Sequence, residues 1–191
     1  MKYLLYVDLS NFDASSVTNM GGMFYDCISL ESVNLLNFNT SSVINMESMF
    51  DGCYSLESID LSKLNLSNVL SMKYMFYNCN CKSVNFSYLD ISNVIIMEYI
   101  FQKCKSLKMV NFSHTNASSL FFIDTIFYEC NSIESIDLSY FNGSSLFDLS
   151  NLFYEYKSLK SIDLSYFDAS SVTNMDYMFY GCTKLEFINL S

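Results

Sequence analysis

Ser58-Ile59-Asp60-Leu61-Ser62-Lys63-Leu64-Asn65-Leu66-Ser67-Asn68-Val69-Leu70-Ser71-Met72-Lys73-Tyr74-Met75-Phe76-Tyr77-Asn78-Cys79 is one unit of a phrase that recurs along the whole chain. Its phenylalanine returns at Phe24, Phe50, Phe76, Phe101, Phe127, Phe153 and Phe179, at spacings of 26, 26, 25, 26, 26 and 26 residues. A β-branched residue keeps the same beat at Val7, Val33, Ile59, Val84, Val110, Ile136, Ile162 and Ile188. A fixed period in this range is the signature of stacked repeats, each touching only its neighbours. We therefore read residues 1–191 as a single array of about seven 25–26-residue repeats rather than as one or two globular domains.

Within the unit, Ile59 and Leu61 alternate with Ser58, Asp60 and Ser62, the period-2 pattern of a short half-buried strand. Asn65, Ser67 and Asn68 supply corner and helix-capping chemistry. From Val69 the apolar positions step by three and four through Met72, Met75, Phe76 and Cys79, which predicts a short amphipathic helix. The expected fold class is thus α/β: a solenoid with a parallel sheet on one face and short helices on the other. The shorter third interval comes from one residue missing between Cys79 and Val84, where Cys81 takes the position held by Leu30, Leu56 and Leu107. That deletion falls in a corner, where a solenoid absorbs it.

Composition narrows the function. The net charge is −10, from 20 acidic against 10 basic residues, which argues against nucleic acid. Every basic residue is lysine, so the bidentate anion recognition typical of arginine is absent. No apolar run approaches the ~18 residues of a membrane span. The opening Met1-Lys2-Tyr3-Leu4-Leu5-Tyr6-Val7-Asp8 is too short in its apolar part for a signal peptide and reads as the first repeat. The chain has no Pro, no Trp and five Gly, but 15 Tyr and 17 Phe, so its corners must be tight and nearly identical.

The segments Asp8 to Met20 and Asp163 to Leu185 resemble the repeat of BspA-like leucine-rich-repeat surface proteins, whose units run roughly LDLSNFDTSNVTNMxxMFxxCxSL. The resemblance covers essentially the whole chain. It implies a leucine-rich-repeat-type solenoid on a cell surface or outside the cell, concerned with adhesion or host binding, with no enzymatic activity, no cofactor and no universal site residues. The central repeats depart from the pattern: Ile123, Ile126, Leu149 and Leu152 replace Met, Tyr156 replaces Cys, and Thr115 replaces the corner Phe.

Several columns invite a functional reading. Cys27, Cys53, Cys79, Cys104, Cys130 and Cys182 share one column. Seven is an odd number, the column is spaced by repeat and not by bridge, and His114 is distant from Cys79-Asn80-Cys81. The cysteines therefore fit neither a disulfide framework nor a metal site, and we expect small buried core residues. The Met columns (Met20 and Met23 in the first repeat) read as core. The strand column Asp8, Asn34, Asp60, Asn85, Asn111, Asp137, Asp163 and Asn189 faces outward, and only Asp137 and Asp163 are adjacent carboxylates. A raised pKa is expected for that pair, and catalysis is not, because no nucleophile or second histidine accompanies it. Two residues past the strand runs Asn11, Asn37, Lys63, Tyr88, His114, Tyr140 and Tyr166, a variable column turning aromatic. Tyr88, His114, Tyr140 and Tyr166, with Asp137 and Asp163, form the candidate binding stripe for a protein or carbohydrate partner. The alternative is that these rings pack against neighbouring coils. A second candidate is an apolar patch of Ile95, Ile96, Phe121, Phe122 and Phe147. Finally, Met1 to Leu9 already matches a strand and Ile188 to Ser191 ends within one, so we expect a piece of a longer uncapped array. A structural spacer that self-associates end to end is the rival to the binding module.

Overall fold

The structure, a computed structural model, describes residues 3–121, 123 and 126–191. Eight three-residue strands recur once per coil: β1 (Tyr6–Asp8), β2 (Ser32–Asn34), β3 (Ser58–Asp60), β4 (Ser83–Asn85), β5 (Met109–Asn111), β6 (Ser135–Asp137), β7 (Ser161–Asp163) and β8 (Phe187–Asn189). All pairings are parallel and in register, so Val84 lies beside Val110 and Asp137 beside Asp163. The ladder breaks once, between β2 and β3, leaving a two-stranded and a six-stranded sheet. Stacking continues across that break elsewhere in the coil, where Asn45 bridges both Asn19 and Ser71. A third bridging column runs Asp90, Asn116, Asn142. The molecule is a parallel β-solenoid, with neighbouring coils joined along several sides.

The expectation of an α/β fold with short helices is overturned: among the described residues no helix forms. The reason lies in the Met-x-x-Met-Phe-x-x-Cys segment. In each such segment whose residues are all described, two residues four apart have left-handed backbone, as in Tyr74 (φ 58°) with Asn78 (φ 52°) and Asn151 (φ 57°) with Glu155 (φ 59°). A left-handed residue every fourth position ends a helix before it begins. The chain folds instead into consecutive tight turns closed by bonds such as Met75 N–H to Met72 O and Cys79 N–H to Phe76 O, both 3.1 Å. The remaining N–H groups point along the solenoid axis. Phe24 donates to Met49 O, Phe50 to Met75 O and Phe76 to Ile100 O at 2.8–2.9 Å, and Phe101 to Ile126 O at 3.1 Å. Turn-by-turn spacing still places Val69, Met72, Met75, Phe76 and Cys79 inside, which is why the segment imitates a helical face.

Inside, like stacks on like. The rings of Phe24, Phe50, Phe76, Phe101 and Phe127 form a column with centroids 5.4–5.7 Å apart and planes within 17°. The cysteine column has its own task. Cys104, Cys130 and Cys182 donate their thiols to the carbonyls of Phe76, Phe101 and Phe153 at 2.8, 2.8 and 2.9 Å. Where Tyr156 replaces Cys, its hydroxyl reaches the matching carbonyl of Phe127 at 2.5 Å. This column is a set of short donors that satisfy a buried acceptor of the preceding coil, and burial pushes the Cys53 and Cys104 thiols well above their ordinary range.

Candidate ligand-binding face

Outward-facing side chains of the strands set the polar half of the face. Each Asp or Asn of that column accepts the backbone N–H two residues on, as Asp137 Oδ1 from Ser139 (2.9 Å) and Asp163 Oδ1 from Ser165 (2.8 Å). These Asx turns bend the chain out of the strand. Asn amides also bridge coils, Asn34 Nδ2 to Asp8 and Asn85 Nδ2 to Asp60, both at 3.1 Å. The adjacent carboxylates therefore serve as corner caps. Partial burial raises Asp163, but the Ser165 hydroxyl and N–H and the Asn189 amide outweigh it and hold the carboxyl below its ordinary value. The raised pKa expected for this residue is not found, because three donors converge on it.

Directly after the cap comes a four-residue turn, closed by Leu89 N–H to Phe86 O, Thr115 to Phe112 O, Phe141 to Leu138 O and Phe167 to Leu164 O at 3.0–3.2 Å. Its third residue is Tyr88, His114, Tyr140 or Tyr166, with φ of 61°, 57°, 53° and 55°. Glycine or asparagine is the easy occupant of such a position. An aromatic residue there costs of order 1–3 kcal/mol of backbone strain. The positive φ carries each ring clear of the core. Tyr88 is 72% exposed, Tyr140 48% and Tyr166 67%, and His114 is exposed with them. The four rings stack face to face: Tyr88 on His114 at 4.6 Å, His114 on Tyr140 at 4.5 Å, and Tyr140 on Tyr166 at 4.5 Å, with planes within 21°. Their backbones hold the spacing, with His114 N–H on Ser139 O (2.9 Å) and Tyr140 N–H on Ser165 O (2.8 Å). Loss of solvent, then the neighbouring Tyr166, raises the Tyr140 phenol, so it stays neutral at physiological pH. Beside this stack a depression of about 240 Å³ lies on the strands, floored by Ser135, Ser161, Asp137 and Asp163 and ended by Met109 and Phe187. The structure thus brings all six stripe residues onto one surface.

The apolar patch occupies a different side of the coil. Ile95, Ile96 and Phe121 are exposed, Phe147 is half-buried, and the Phe121 and Phe147 rings lie 4.6 Å apart. Phe122 falls outside the described residues. Reading the sequence by strands missed a third feature. Nine of the 15 tyrosines (25, 54, 74, 77, 99, 128, 154, 177 and 180) decorate the turn segment around the Phe and Cys columns. Tyr74 stacks on Tyr99 at 5.5 Å and Tyr154 on Tyr180 at 5.0 Å, and a broad cleft of about 1100 Å³ is lined in part by Tyr74, Tyr99, Tyr128 and Tyr154. Eight of the nine lie two before or one after a column Phe, where the signal was present, and Tyr54 lies four after Phe50. Asp51, Gln102 and Asn151 interrupt those positions, so no run of stacked rings there matches the four on the strand side.

Asp51 gives this turn face a pH dependence. Burial raises its carboxyl to about 6, the Ser48 hydroxyl 3.3 Å away opposes the shift, and Asp26 adds to it. A carboxyl raised in the folded state is held in its protonated form by folding. The stability it contributes is full below about 4 and is lost as pH rises through about 6. After discounting for solvent screening at a half-exposed site, the loss is about 1 kcal/mol. Urea titrations at pH 4, 5, 6 and 7 should show that decline in the native chain and its disappearance in Asp51→Asn.

The coil, its axial hydrogen bonds and its outward columns define a repeat-built β-solenoid whose side chains form continuous surface stripes. The chain belongs to the family described as Mycoplasma protein of unknown function, DUF285, which matches residues 2–115 and again 97–190. Among solved structures, a leucine-rich repeat protein from Bacteroides ovatus is similar over 98% of this chain and 61% of its own, at 18% identity and a TM-score of 0.33. A leucine rich cell surface protein from Faecalibacterium prausnitzii is similar over 98% of this chain and 83% of its own, at 15% identity and a TM-score of 0.26. No curated protein matches the chain.

Proposed function

We propose that this solenoid is a non-enzymatic binding module that holds an extended protein or carbohydrate partner at a cell surface. The observation that carries the reading is the exposed stack Tyr88–His114–Tyr140–Tyr166, spaced 4.5–4.6 Å and running beside the Asp137/Asp163 depression. Stacked rings are already rigid, so a ligand laid across them costs them little further entropy. Because the rings cover one another's faces, the stack presents a row of ring edges and phenol hydroxyls. That row suits the mixed apolar and hydroxyl surface of a glycan chain or an extended peptide, while the Ser and Asp floor offers further hydrogen-bond partners. The BspA-like resemblance of the repeat supports the surface location and the adhesive role.

A Tyr140→Ser/Tyr166→Ser double variant tests this. Its unfolding free energy should change by no more than about 1–2 kcal/mol, since only exposed stacking is lost. Binding to glycan arrays, or to cells in an adhesion assay, should weaken more than about tenfold, because interface aromatics are typical hot spots. Unchanged binding by the folded double variant would sink the stripe as the site. The array separates sugar from protein partners.

A further inference from the structure

A second exposed stripe lies on another side of the coil. Ile44 (44% exposed), Leu70 (44%), Ile95 (58%) and Phe121 (46%) sit at one position of successive coils, followed by half-buried Phe147, with exposed Thr18 and Thr173 at the two ends. Their backbones are linked from coil to coil, Leu70 N–H to Ile44 O at 2.9 Å and Ile95 N–H to Leu70 O at 3.0 Å. The stripe is therefore a rigid row on a β face and not a set of mobile loops. Its apolar area is on the order of 400 Å², the size of the largest apolar patch on a typical monomer, which is often a functional one.

The charge pattern around it is specific. The coil segments 15–19, 41–45, 67–71, 92–96, 118–122, 144–148 and 170–174 carry one charged residue, Asp148, in a chain with 20 acids and 10 bases. Ser and Asn fill the margins instead. A copy of a chain with net charge −10 can approach another only where carboxylates do not oppose, and this band provides such a place. The bulk along the row is also graded, aliphatic at Ile44 and Leu70 and aromatic at Phe121 and Phe147.

We propose that this band is the interface of an antiparallel two-fold dimer with a second copy of the chain. With Ile95 on the axis, Leu70 of one copy lies over Phe121 of the other and Ile44 over Phe147, so small meets large along the whole row. The same operation sets Asp148 opposite Asn45, an amide that can donate to it. A parallel arrangement would set Phe on Phe and Ile on Ile and forfeit that match. Even with its polar margins the band is at the small end of specific interfaces, which bury ≈ 800 Å² per partner. The dimer should therefore form at micromolar and not nanomolar concentration. It would present two ligand stripes on one particle, but the interface does not depend on what those stripes bind.

Sedimentation equilibrium over a wide micromolar range should show the native chain passing from monomer to dimer. Ile95→Asp should weaken that dimer at least tenfold while leaving the unfolding midpoint unchanged, because the side chain is exposed. Geometry is read with a short bis-maleimide, using the native chain as the background for half-buried Cys182. Ile95→Cys should crosslink to itself. Ile44→Cys alone should not, but it should crosslink when mixed with Phe147→Cys. A native chain that stays monomeric throughout, a dimer that survives Ile95→Asp, or self-crosslinking of Ile44→Cys as efficient as that of Ile95→Cys would each overturn the proposal.

Discussion

Phe76→Ala should lower the unfolding free energy by about 3–5 kcal/mol, the usual cost of emptying a fully buried aromatic site. Phe76 is 0% exposed and stacks between Phe50 at 5.4 Å and Phe101 at 5.6 Å, with the Phe86 ring edge-on at 6.4 Å. Relaxation cannot close the hole, because each neighbouring ring sits on a backbone bonded to the next coil: Phe50 N–H bonds Met75 O and Phe101 N–H bonds Ile126 O. In a one-dimensional array the loss is felt at one coil and its two interfaces. Urea unfolding followed by near-UV circular dichroism should therefore show both a lower midpoint and a broadened transition. An unaltered midpoint would mean that the phenylalanine column is not the spine of the core.

Two substitutions at Glu155 should act in opposite directions. Its φ is 59°, it is exposed, and its N–H donates to Tyr180 O at 2.6 Å. Glu155→Gly removes the side chain that makes left-handed backbone costly and should stabilise the chain by about 1 kcal/mol. Glu155→Pro demands φ near −65° and deletes the donor, so a loss of more than about 3 kcal/mol is expected. In a helix the glycine variant would instead be destabilising, so the sign of one measured change separates the observed turns from a helical alternative. The complete absence of proline from the 191 residues has the same origin: N–H groups around the coil are committed to neighbours along the axis.

The repeat length, the strand positions and nearly every inward residue could be read from the sequence, because burial repeats with the coil whatever the backbone does between. The backbone of the Met-x-x-Met-Phe-x-x-Cys segment could not be read from its apolar spacing, since steps of three and four suit a helix and a pair of tight turns equally. A distinguishing sign was available in Asp26, Gly52, Asn78 and Gly181, residues that tolerate left-handed backbone, each just before a column cysteine. Asx turns were also written out, in Asp8-Leu9-Ser10, Asp13-Ala14-Ser15 and their counterparts, whose side-chain oxygens accept from the serine N–H. The aromatic stripe was visible as a column, and its position follows from that. Its face-to-face stacking was not, because ring direction depends on the positive φ of a corner that composition alone does not reveal.

The axial run of the backbone bonds has a mechanical consequence. Strands β3 to β8 bond only to the coil before and the coil after, so tension along the solenoid falls on these bonds one coil at a time. A load on the end of the array peels it like a tape, each coil yielding while the rest keeps its shape. Every released coil of 25 or 26 residues pays out roughly 90 Å of extended chain. Such a rod lengthens in steps under pull and rewinds against an intact template when the force is removed, so an attachment built from it would give before it breaks.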